Sequence, residues 1–343
     1  MDTLSIEILS KIEEFVKFIL LLGKVWYKIA LLTVCYTLFF FFITVQVVLC
    51  ENQPLVTVYF FDVGQGDAIF IDTEGQDMLI DGGPRSAGST LMGYLNSLGV
   101  SEIAYVVATH PHEDHIGGLI SVLESSISVG VVLYNNQSAT SQVYKDFMSL
   151  AQSKITIVQR GQQYILSENV NFTILNPVQP LEFTVVNSNS IVLQLQAGNV
   201  AFLFTGDATF EAEESMMDAG LNLSSQVLKV AHHGSRYATS ETFLEAVNPS
   251  YAVISAGIGN PYGHPHNETI QRLLSKGVTV YGTYVSETIV MGTDGQTVYV
   301  YGNPTPIPEF PQNMTLCFIL TLTILIIFAD KVRPNNRWTK ARV

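Results

Sequence analysis

Apolar and polar positions alternate in short blocks from about residue 55 to residue 300. Short apolar runs bounded by turn-forming residues predict strands, and apolar positions spaced three or four apart predict helices. In the first half, we predict strands at Leu55–Phe61, Ala68–Asp72, Met78–Asp81, Ile103–Ala108, Val129–Tyr134 and Ile155–Val158. The helices predicted in the same half are Ser89–Leu98, Ile116–Leu123 and Gln142–Gln152. This alternation of strand and helix indicates an α/β fold.

The pattern resumes near Ser190, where we expect a second half of the same domain to begin. Gly198-Asn199 separates two apolar runs and predicts a hairpin turn. The strands predicted here are Ile191–Gln196, Val200–Thr205, Val227–Ala231 and Tyr251–Ser255, followed by three short strands that end by Val300. The predicted helices are one from Phe210, Glu241–Val247 and Thr269–Leu274.

Two segments outside this domain lack charged residues and are largely apolar, residues 29–50 and residues 311–329. A helix needs about 20 such residues to cross a bilayer. A cleaved secretory signal is the alternative for the first segment, and a buried C-terminal helix is the alternative for the second. The resulting organisation is a cytoplasmic segment at 1–28, a transmembrane helix at 29–50, a folded domain at 51–303, a proline-rich linker at 304–312, a transmembrane helix at 313–330 and a basic tail at 331–343.

Basic residues predict the orientation of the two spans. Lys24 and Lys28 precede the first span, and the second is followed by Lys331, Arg333, Arg337, Lys340 and Arg342. Short loops rich in Lys and Arg remain on the cytoplasmic side. We therefore expect a protein of the cell membrane, with both termini cytoplasmic and the domain between the spans outside the cytoplasm.

Charge is distributed unevenly between this domain and the chain ends. The whole chain has 17 Lys and Arg against 30 Asp and Glu, a net charge of −13. Residues 51–312 contain 8 basic and 25 acidic residues, so their net charge is 8 − 25 = −17. Such a field repels extended polyanions. Nucleic acid therefore remains a possible partner that the charge disfavours.

All seven histidines fall into three short clusters, and the densest is His110-Pro111-His112-Glu113-Asp114-His115. Imidazole and carboxylate groups together suit Zn²⁺ or Mn²⁺. His110 follows a predicted strand, whereas Asp114 and His115 begin a predicted helix, so we expect the cluster to serve two adjacent metal positions. One or two Zn²⁺ ions per chain, or Mn²⁺, would lower the pKa of bound water to about 7 and supply a nucleophilic hydroxide.

Two aspartates follow predicted strands and are candidates for the same centre. Asp207, in Leu-Phe-Thr-Gly-Asp, is predicted to supply a carboxylate shared by both metals, with a helix N-cap as the alternative. Asp81, in Leu-Ile-Asp-Gly-Gly, is predicted to orient His110 or His112 from behind, or simply to end a strand.

The other two histidine clusters are His232-His233-Gly234-Ser235 and Tyr262-Gly263-His264-Pro265-His266. Tandem histidines in an extended chain point to opposite sides, so we assign His232 as a metal ligand and His233 to catalysis, with Ser235 near the substrate. The second cluster is loop-like, and a plain surface turn is the alternative. We predict that His264 donates a proton or contacts phosphate, with His266 beside it.

These motifs resemble the metallo-β-lactamase superfamily, which implies an αββα sandwich with metals at one edge of the sheets. Four strings are similar to the hydrolase domain of ComEC-type competence proteins and their stand-alone relatives, namely Phe61–Asp67, Thr109–Gly118, Ala231–Ser235 and Asn260–His266. The similarity extends from about Val56 to Tyr301. It implies a membrane-anchored, metal-dependent hydrolase of phosphodiester bonds, either a phosphodiesterase or a nuclease. Two spans are not a multi-span channel, so we do not expect the chain to move DNA by itself.

One departure from the superfamily pattern concerns the first metal. Its usual third histidine should fall between His115 and His232, where this chain has none. Asn187 or Asn189 occupies roughly that place, and we select Asn189. We therefore expect unequal metal positions, one drawing on Asp114, His115, Asp207 and His232 and the other on His110, His112 and Asp207.

Two further functions remain open at this point. One is the hydrolysis of envelope or lipid-linked phosphodiesters. The other is a non-catalytic membrane module that uses the fold for binding, against which the intact metal-binding residue types argue. The sequence does not identify protein partners.

Overall fold

The computed structural model describes residues 11, 14–18, 22–23, 26–28, 32–41 and 54–308. The chain divides into two compact units, Met1–Gln53 and Pro54–Val343. In the first unit, residues 32–41 are helical. Among the described residues, no helix combines the length and the apolar character that a bilayer span requires. The remainder of the predicted span 29–50, the predicted span 313–330 and the basic tail lie outside the described residues.

The second unit is built from short strands and helices. Its strands are β1 (Val56–Phe60), β2 (Ile69–Thr73), β3 (Met78–Ile80), β4 (Glu102–Ala108), β5 (Ser128–Tyr134), β6 (Ile155–Ile157), β7 (Gln163–Ser167), β8 (Val170–Asn176), β9 (Val192–Ala197), β10 (Val200–Phe204), β11 (Val227–Lys229), β12 (Tyr251–Ile254), β13 (Thr279–Gly282), β14 (Ile289–Thr293) and β15 (Val298–Tyr301). Its α-helices are α1 (Gly88–Ser97), α2 (Glu113–Ile116), α3 (Leu119–Leu123), α4 (Gln142–Ala151), α5 (Phe210–Asp218), α6 (Glu241–Val247), α7 (Asn267–Ser275) and α8 (Thr283–Ser286). Short 3₁₀ turns occur at Arg85–Ala87, Asn187–Asn189 and Ala231–Gly234.

Within residues 54–308, the strands form two sheets. The first has eight strands in the order β15-β14-β1-β2-β3-β4-β5-β6, and the second has seven in the order β13-β12-β11-β10-β9-β8-β7. In the first sheet, β3, β4 and β5 run parallel to one another. In the second, β10, β11 and β12 are likewise parallel. Parallel strands end at the same edge of a sheet, so the loops after β4, β10 and β11 are the natural place for a site.

Buried apolar side chains form three layers. Phe60, Phe172 and Phe202 belong to the layer between the two sheets. Phe147 of α4 belongs to the layer outside the first sheet, and Phe243 of α6 belongs to the layer outside the second. Each sheet is therefore covered by the other sheet on one face and by helices on the other, which is the predicted αββα sandwich.

Several predicted elements differ from the observed ones. The predicted helix Ile116–Leu123 is divided into α2 and α3 at Gly117-Gly118. There the chain passes so close to Gly82 that a Cβ on Gly118 would lie 1.9 Å from the Gly82 carbonyl oxygen.

The boundary between the two halves also differs from the prediction. The hairpin of β7 and β8 was not predicted, yet it belongs to the second sheet because β8 pairs with β9. The second half therefore begins near Gln163 rather than near Ser190. At the other end, Ile307 of the predicted linker is buried and donates a backbone hydrogen bond to the Val280 carbonyl at 2.8 Å, so the linker begins on the domain.

Candidate metal centre

Asp81 fixes the end of β4, from which the first histidine cluster starts. Its carboxylate accepts hydrogen bonds from the Thr109 backbone N–H (2.8 Å) and hydroxyl (2.7 Å), and it lies 2.7 Å from His115 Nδ1. The Thr109 hydroxyl is also 3.1 Å from His110 Nδ1. Asp81 was predicted to orient His110 or His112 from behind, or simply to end a strand. Its carboxylate contacts His115, a partner that was not predicted, and reaches His110 through the Thr109 hydroxyl.

Asp207 lies between two sets of rings, one at each carboxylate oxygen. Its Oδ1 is 3.2 Å from His115 Nε2 and 3.5 Å from His233 Nε2. Its Oδ2 is 3.8 Å from His110 Nε2 and 3.7 Å from His232 Nε2. The N-cap residue of α5 is Thr209, not Asp207. The structure therefore places Asp207 where a shared carboxylate would stand, and the helix-cap alternative does not apply.

Asp114, His115 and His233 form the first cluster, which we term the buried group. Their ligand-capable atoms all lie within 4.8 Å of one another, and His233 Nε2 is 3.4 Å from Asp114 Oδ2. Both rings are almost completely buried. Among the described residues, His115 Nε2, His233 Nε2 and Asp207 Oδ1 have no hydrogen-bond partner. These buried atoms converge on one point, as the ligand atoms of a bound metal ion would.

The tandem histidines adopt a backbone conformation that the sequence pattern does not predict. Both His232 (φ 51°) and His233 (φ 53°) are left-handed, within the 3₁₀ turn Ala231–Gly234. The turn is held by a hydrogen bond from the His232 N–H to the Gly206 carbonyl (3.0 Å). Because of this conformation, both rings face the centre instead of opposite sides. His233, not the predicted His232, is the residue that joins Asp114 and His115.

The second cluster is His110, His112 and Asp207, which we term the open group because the His112 side chain is exposed. His110 Nε2 lies 3.0 Å from His112 Nδ1. The Asn187 amide nitrogen stands beside them, 3.1 Å from His232 Nε2 and 3.4 Å from Asp207 Oδ2. His232 and Asn187 therefore border this group at the position where a third histidine is missing.

Asn189, the residue selected from the sequence, faces elsewhere. Its amide donates to the Phe183 carbonyl (2.7 Å) and accepts from the Phe183 N–H (3.2 Å). The Asn189 side chain closes a local loop, whereas the Asn187 side chain faces the centre. The choice of Asn189 over Asn187 was therefore wrong.

The two groups differ in the protonation of their rings. Burial alone would lower the pKa of His115, but Asp207 and Asp81 outweigh it and raise that pKa well above its ordinary value. The same balance of burial against Asp207 and Asp67 raises the pKa of His233 to about 10. In the open group, burial and the charge of His115 lower the pKa of both His110 and His112. Without metal, the buried rings are therefore cations and the open rings are neutral.

A pocket of about 310 Å³ opens onto both groups. Its other walls include Gln65, Glu113, Tyr262 and His264. The His264 ring lies 5.4 Å from the His232 ring and stacks on Tyr262 at 5.7 Å. Burial, followed by the charges of His233 and His232, lowers the pKa of His264 to about 4. The ring is therefore neutral at physiological pH.

Ser235 and His266, which the sequence places near the substrate, are not among the residues that line this pocket. The Ser235 hydroxyl accepts from the Tyr237 N–H (3.4 Å), and His266 Nδ1 accepts from the Arg236 N–H (3.2 Å). Both side chains support the loop that follows the tandem histidines.

Two buried residues of the centre were not identified from the sequence as site residues. Lys229 ends β11, and its ammonium lies 2.9 Å from Asp67 Oδ1. Burial would raise the pKa of Asp67, but Lys229 and His233 lower it to about 2, so Asp67 is a carboxylate. The available signals were the string Phe61–Asp67 and a single lysine inside the apolar run Val227–Ala231.

The residues present fit a divalent metal ion. In a tetrahedral zinc shell with ligands at about 2.0 to 2.1 Å, neighbouring ligand atoms are about 3.3 Å apart. Between the buried group and Asp207 Oδ1, two such separations are 3.2 and 3.5 Å, and within the group His233 Nε2 lies 3.4 Å from Asp114 Oδ2. In the open group the separations are less even, 3.0 Å between His110 Nε2 and His112 Nδ1 and 3.8 Å between His110 Nε2 and Asp207 Oδ2. Mixed imidazole and carboxylate donors suit Zn²⁺ and also accept Mn²⁺.

Comparison with known proteins agrees with this fold and centre. The family described as the metallo-beta-lactamase superfamily matches residues 61–258. ComE operon protein 3 of Bacillus subtilis (strain 168) is 30% identical over 248 residues, which cover 66% of this chain and 32% of that protein. Competence protein ComA of Neisseria gonorrhoeae is 34% identical over 244 residues, which cover 71% of this chain and 33% of that protein.

The chain therefore spans about a third of the length of these relatives. Among solved structures, the CmlA beta-hydroxylase E377D mutant is similar with a TM-score of 0.48 and 13% identity, over 71% of this chain and 55% of that one. With the family match extending over more than half of its residues, from β2 to β12 of the sandwich, this chain belongs to the metallo-β-lactamase superfamily.

Proposed function

We propose that the chain is a membrane-anchored, metal-dependent hydrolase that cleaves phosphodiester bonds. The position of Asp207 carries this proposal, because its two oxygens face two separate sets of buried or half-buried imidazoles. A divalent metal bound by these groups would supply Lewis acidity and a hydroxide nucleophile near neutral pH. The pocket beside them is large enough for a phosphate ester and one of its substituents.

The geometry supports a revised assignment of ligands. At the buried position, we assign Asp114, His115, His233 and one oxygen of Asp207, a set of four protein donors. At the open position, the donors are His110, His112 and the other oxygen of Asp207. There, Asn187 and His232 stand close enough to complete the shell or to contact the substrate. Zn²⁺ is the favoured ion at both positions, and Mn²⁺ is the alternative.

His264 is the residue that we assign to the leaving group. It lines the pocket without belonging to either metal group. Because its pKa is lowered to about 4, the ring carries no extra proton to transfer at neutral pH. Its contribution is then a hydrogen bond to the leaving oxygen rather than the proton donation predicted from the sequence.

The charges around the pocket favour a diester over a monoester. Among the described residues, no Lys or Arg lines it, whereas Glu113 does. A diester carries one negative charge per phosphate, and the metals alone can neutralise it. A monoester carries two negative charges and would need a further cationic side chain, which the described residues of the pocket do not provide. Two relatives are named as competence proteins or for the ComE operon, so nucleic acid is one candidate diester. Envelope or lipid-linked diesters are the other, and the acidic domain favours them.

Metal content followed by turnover tests this proposal. The full chain would be purified, its bound Zn²⁺ and Mn²⁺ measured by mass spectrometry, and its activity measured on bis-p-nitrophenyl phosphate. The matched monoester p-nitrophenyl phosphate is the control substrate, and oligonucleotides and lipid-linked diesters complete the panel. We expect diester turnover that a chelator abolishes and Zn²⁺ or Mn²⁺ restores. Metal binding without turnover of any ester would make the chain a binding module and contradict the proposal.

The membrane arrangement is part of the same proposal and rests on the two uncharged segments. We propose that residues 29–50 and 313–330 span the membrane, with the hydrolase domain outside the cytoplasm. A cytoplasmic reporter fused after Val343 should be active. Because Cys50 would lie at the outer end of the first span, the test starts from a Cys50→Ser chain. Ser128→Cys in that chain should react with an impermeant thiol reagent in intact cells, whereas Cys50→Ser alone should not. Labelling only after lysis would contradict the outward-facing domain.

A further inference from the structure

A charged pair lies between the two sheets, directly behind the metal centre. Side chains alternate along a strand, and on β11 Lys229 points to the same side as Val227, into the layer between the sheets. The lysine side chain is completely buried, and its ammonium lies 2.9 Å from Asp67 Oδ1 and donates to the Val230 carbonyl at 2.8 Å. A buried ion pair often adds little net stability compared with apolar residues of similar size. The Lys229–Asp67 pair is therefore expected to have a role other than stabilising the fold.

Asp67 is joined by its backbone to the segment that carries Asp114. The Asp67 N–H donates to the Asp114 carbonyl at 3.1 Å, and the Asp67 carbonyl accepts from the Gly83 N–H at 2.7 Å. The approach is so close that a Cβ on Gly66 would lie 2.3 Å from the Asp114 carbonyl oxygen. A displacement of Asp67 would therefore displace Asp114.

The Asp67 side chain is joined to His233. Its Oδ1 lies 3.3 Å from His233 Nδ1, and the Ser255 carbonyl lies 3.0 Å from the same nitrogen. With Nδ1 occupied on that side, the ring presents Nε2 towards Asp114 Oδ2 at 3.4 Å. Outer partners of this kind fix the tautomer and the orientation of metal-binding histidines.

We propose that Lys229 and Asp67 are positioning residues of the buried metal position. Lys229 holds the Asp67 carboxylate between the sheets. Asp67 in turn holds Asp114 through the backbone and His233 through the ring, so two ligands from different sheets keep their separation. This inference rests on the proposed function, since it takes the buried group to be a metal site.

A positioning role for Lys229 and a role in charge neutralisation alone predict opposite changes in Zn²⁺ affinity. If Lys229 acted only through its charge, Lys229→Met would remove a positive charge near the centre and would tighten Zn²⁺ binding. If Lys229 positions the ligands, the same variant weakens binding. The double variant Lys229→Met/Asp67→Leu removes both charges at once. A role in charge balance predicts unchanged affinity for it, whereas positioning predicts weaker affinity.

The test measures Zn²⁺ affinity of the full chain by competition with a chelator, and the visible spectrum of the Co²⁺-loaded chain, which reports the geometry around the ion. We expect both variants to bind the tighter Zn²⁺ about 10- to 100-fold more weakly than the wild type, the usual effect of losing an outer partner. Their Co²⁺ spectra should also change. Lys276→Met, which breaks the exposed Lys276–Glu245 pair (2.7 Å), is the matched control and should change neither readout.

The double variant retains no unpaired buried charge, so it carries the test if Lys229→Met fails to fold. Wild-type affinity and spectrum in a folded double variant would overturn the positioning role, as would tighter binding by Lys229→Met. A wild-type chain that binds Zn²⁺ but cleaves no diester would contradict the proposed function and leave the positioning role standing. A wild-type chain that binds no metal would overturn both.

Discussion

The buried and open groups are built from the same residue types, but different partners stand behind their rings. In the buried group, His115 has the Asp81 carboxylate at its outer nitrogen, and His233 has Asp67 and a backbone carbonyl. In the open group, the Thr109 hydroxyl is the only hydrogen-bond partner of His110 Nδ1 among the described residues, and His112 is exposed. Partners behind a ligand fix its orientation and raise its basicity. The two positions are therefore expected to differ in affinity although both use Asp207.

Because of these partners, the metal affinity of the buried position is expected to depend on pH. The folded pKa of His233 is raised to about 10 from an ordinary value of 6.5. Its proton therefore stabilises the metal-free fold fully below about pH 6.5, and this contribution is lost as the pH rises through about 10. A metal at Nε2 must displace that proton. Affinity at the buried position should rise with pH between these values, whereas the lowered pKa of His110 and His112 makes the open position insensitive there.

The largest expected effect comes from removing Asp207, whose two oxygens face the buried and the open group. Asp207→Ala should weaken Zn²⁺ binding at both positions, each by more than about 100-fold, because a direct ligand is lost rather than an outer partner. Diester turnover should be lost with it. Metal content and turnover would be compared with Asp218→Ala, an exposed carboxylate at the end of α5. Normal occupancy at either position in Asp207→Ala would show that the carboxylate is not shared.

The tandem histidines allow each group to be weakened separately. His233→Ala should remove the tighter Zn²⁺, since its Nε2 faces Asp114 and Asp207 Oδ1. His232→Ala should retain that ion and affect only the weaker one, because His232 is partly exposed and lies by Asp207 Oδ2. Stepwise chelation of the two variants measures this. Loss of the tight ion in His232→Ala instead would restore the assignment made from the sequence.

A smaller effect is expected outside both groups, at His264. His264→Ala should leave bound metal unchanged and slow diester turnover about 10-fold, which is the scale of one hydrogen bond. A loss of about 10² or more would indicate proton transfer and would contradict the neutral ring. A fall in metal content would make His264 a ligand.

The smallest change is a gain at the open position. Asn187→His should tighten the weaker Zn²⁺ on the order of tenfold, because imidazole is a better zinc ligand than a neutral amide. Asn189→His is the matched control and should not tighten it, since its amide is bound to Phe183 and completely buried. Tighter binding in the control alone would reverse the choice between the two asparagines.

Local patterns predicted the α/β alternation and the strand ends that carry the site, whereas the αββα sandwich was implied by the resemblance to a family. Predicted strand Ile103–Ala108 is observed as β4 (Glu102–Ala108), and the hairpin around Gly198-Asn199 is observed as β9 and β10. These elements follow from apolar periodicity and turn residues, which are properties of neighbouring positions. β7 has a weaker sequence pattern, since its apolar run has only three residues between Gln163 and Ser167, and Ile165 in the middle of that run is exposed.

Local patterns could not predict which of the two tandem histidines joins the buried group, nor which of the two asparagines faces the centre. His232 and His233 take a left-handed backbone that is rare for residues other than glycine, and a long-range hydrogen bond to Gly206 holds it. Which of Asn187 and Asn189 faces the centre depends on Phe183, whose backbone binds the second amide. Both outcomes are set by tertiary contacts, so periodicity carries no information about them.

The measurement that tests the two-position account most directly is a stepwise Zn²⁺ titration of the metal-free full chain at two pH values, with the released protons counted. We expect two unequal steps. The tighter step should release protons and strengthen from pH 6.5 to pH 8.5 as the His233 proton becomes easier to displace. The weaker step should depend less on pH and release fewer protons, because its rings are already neutral and only a metal-bound water can lose a proton there. Two equal steps, or proton release in the weaker step only, would contradict the account.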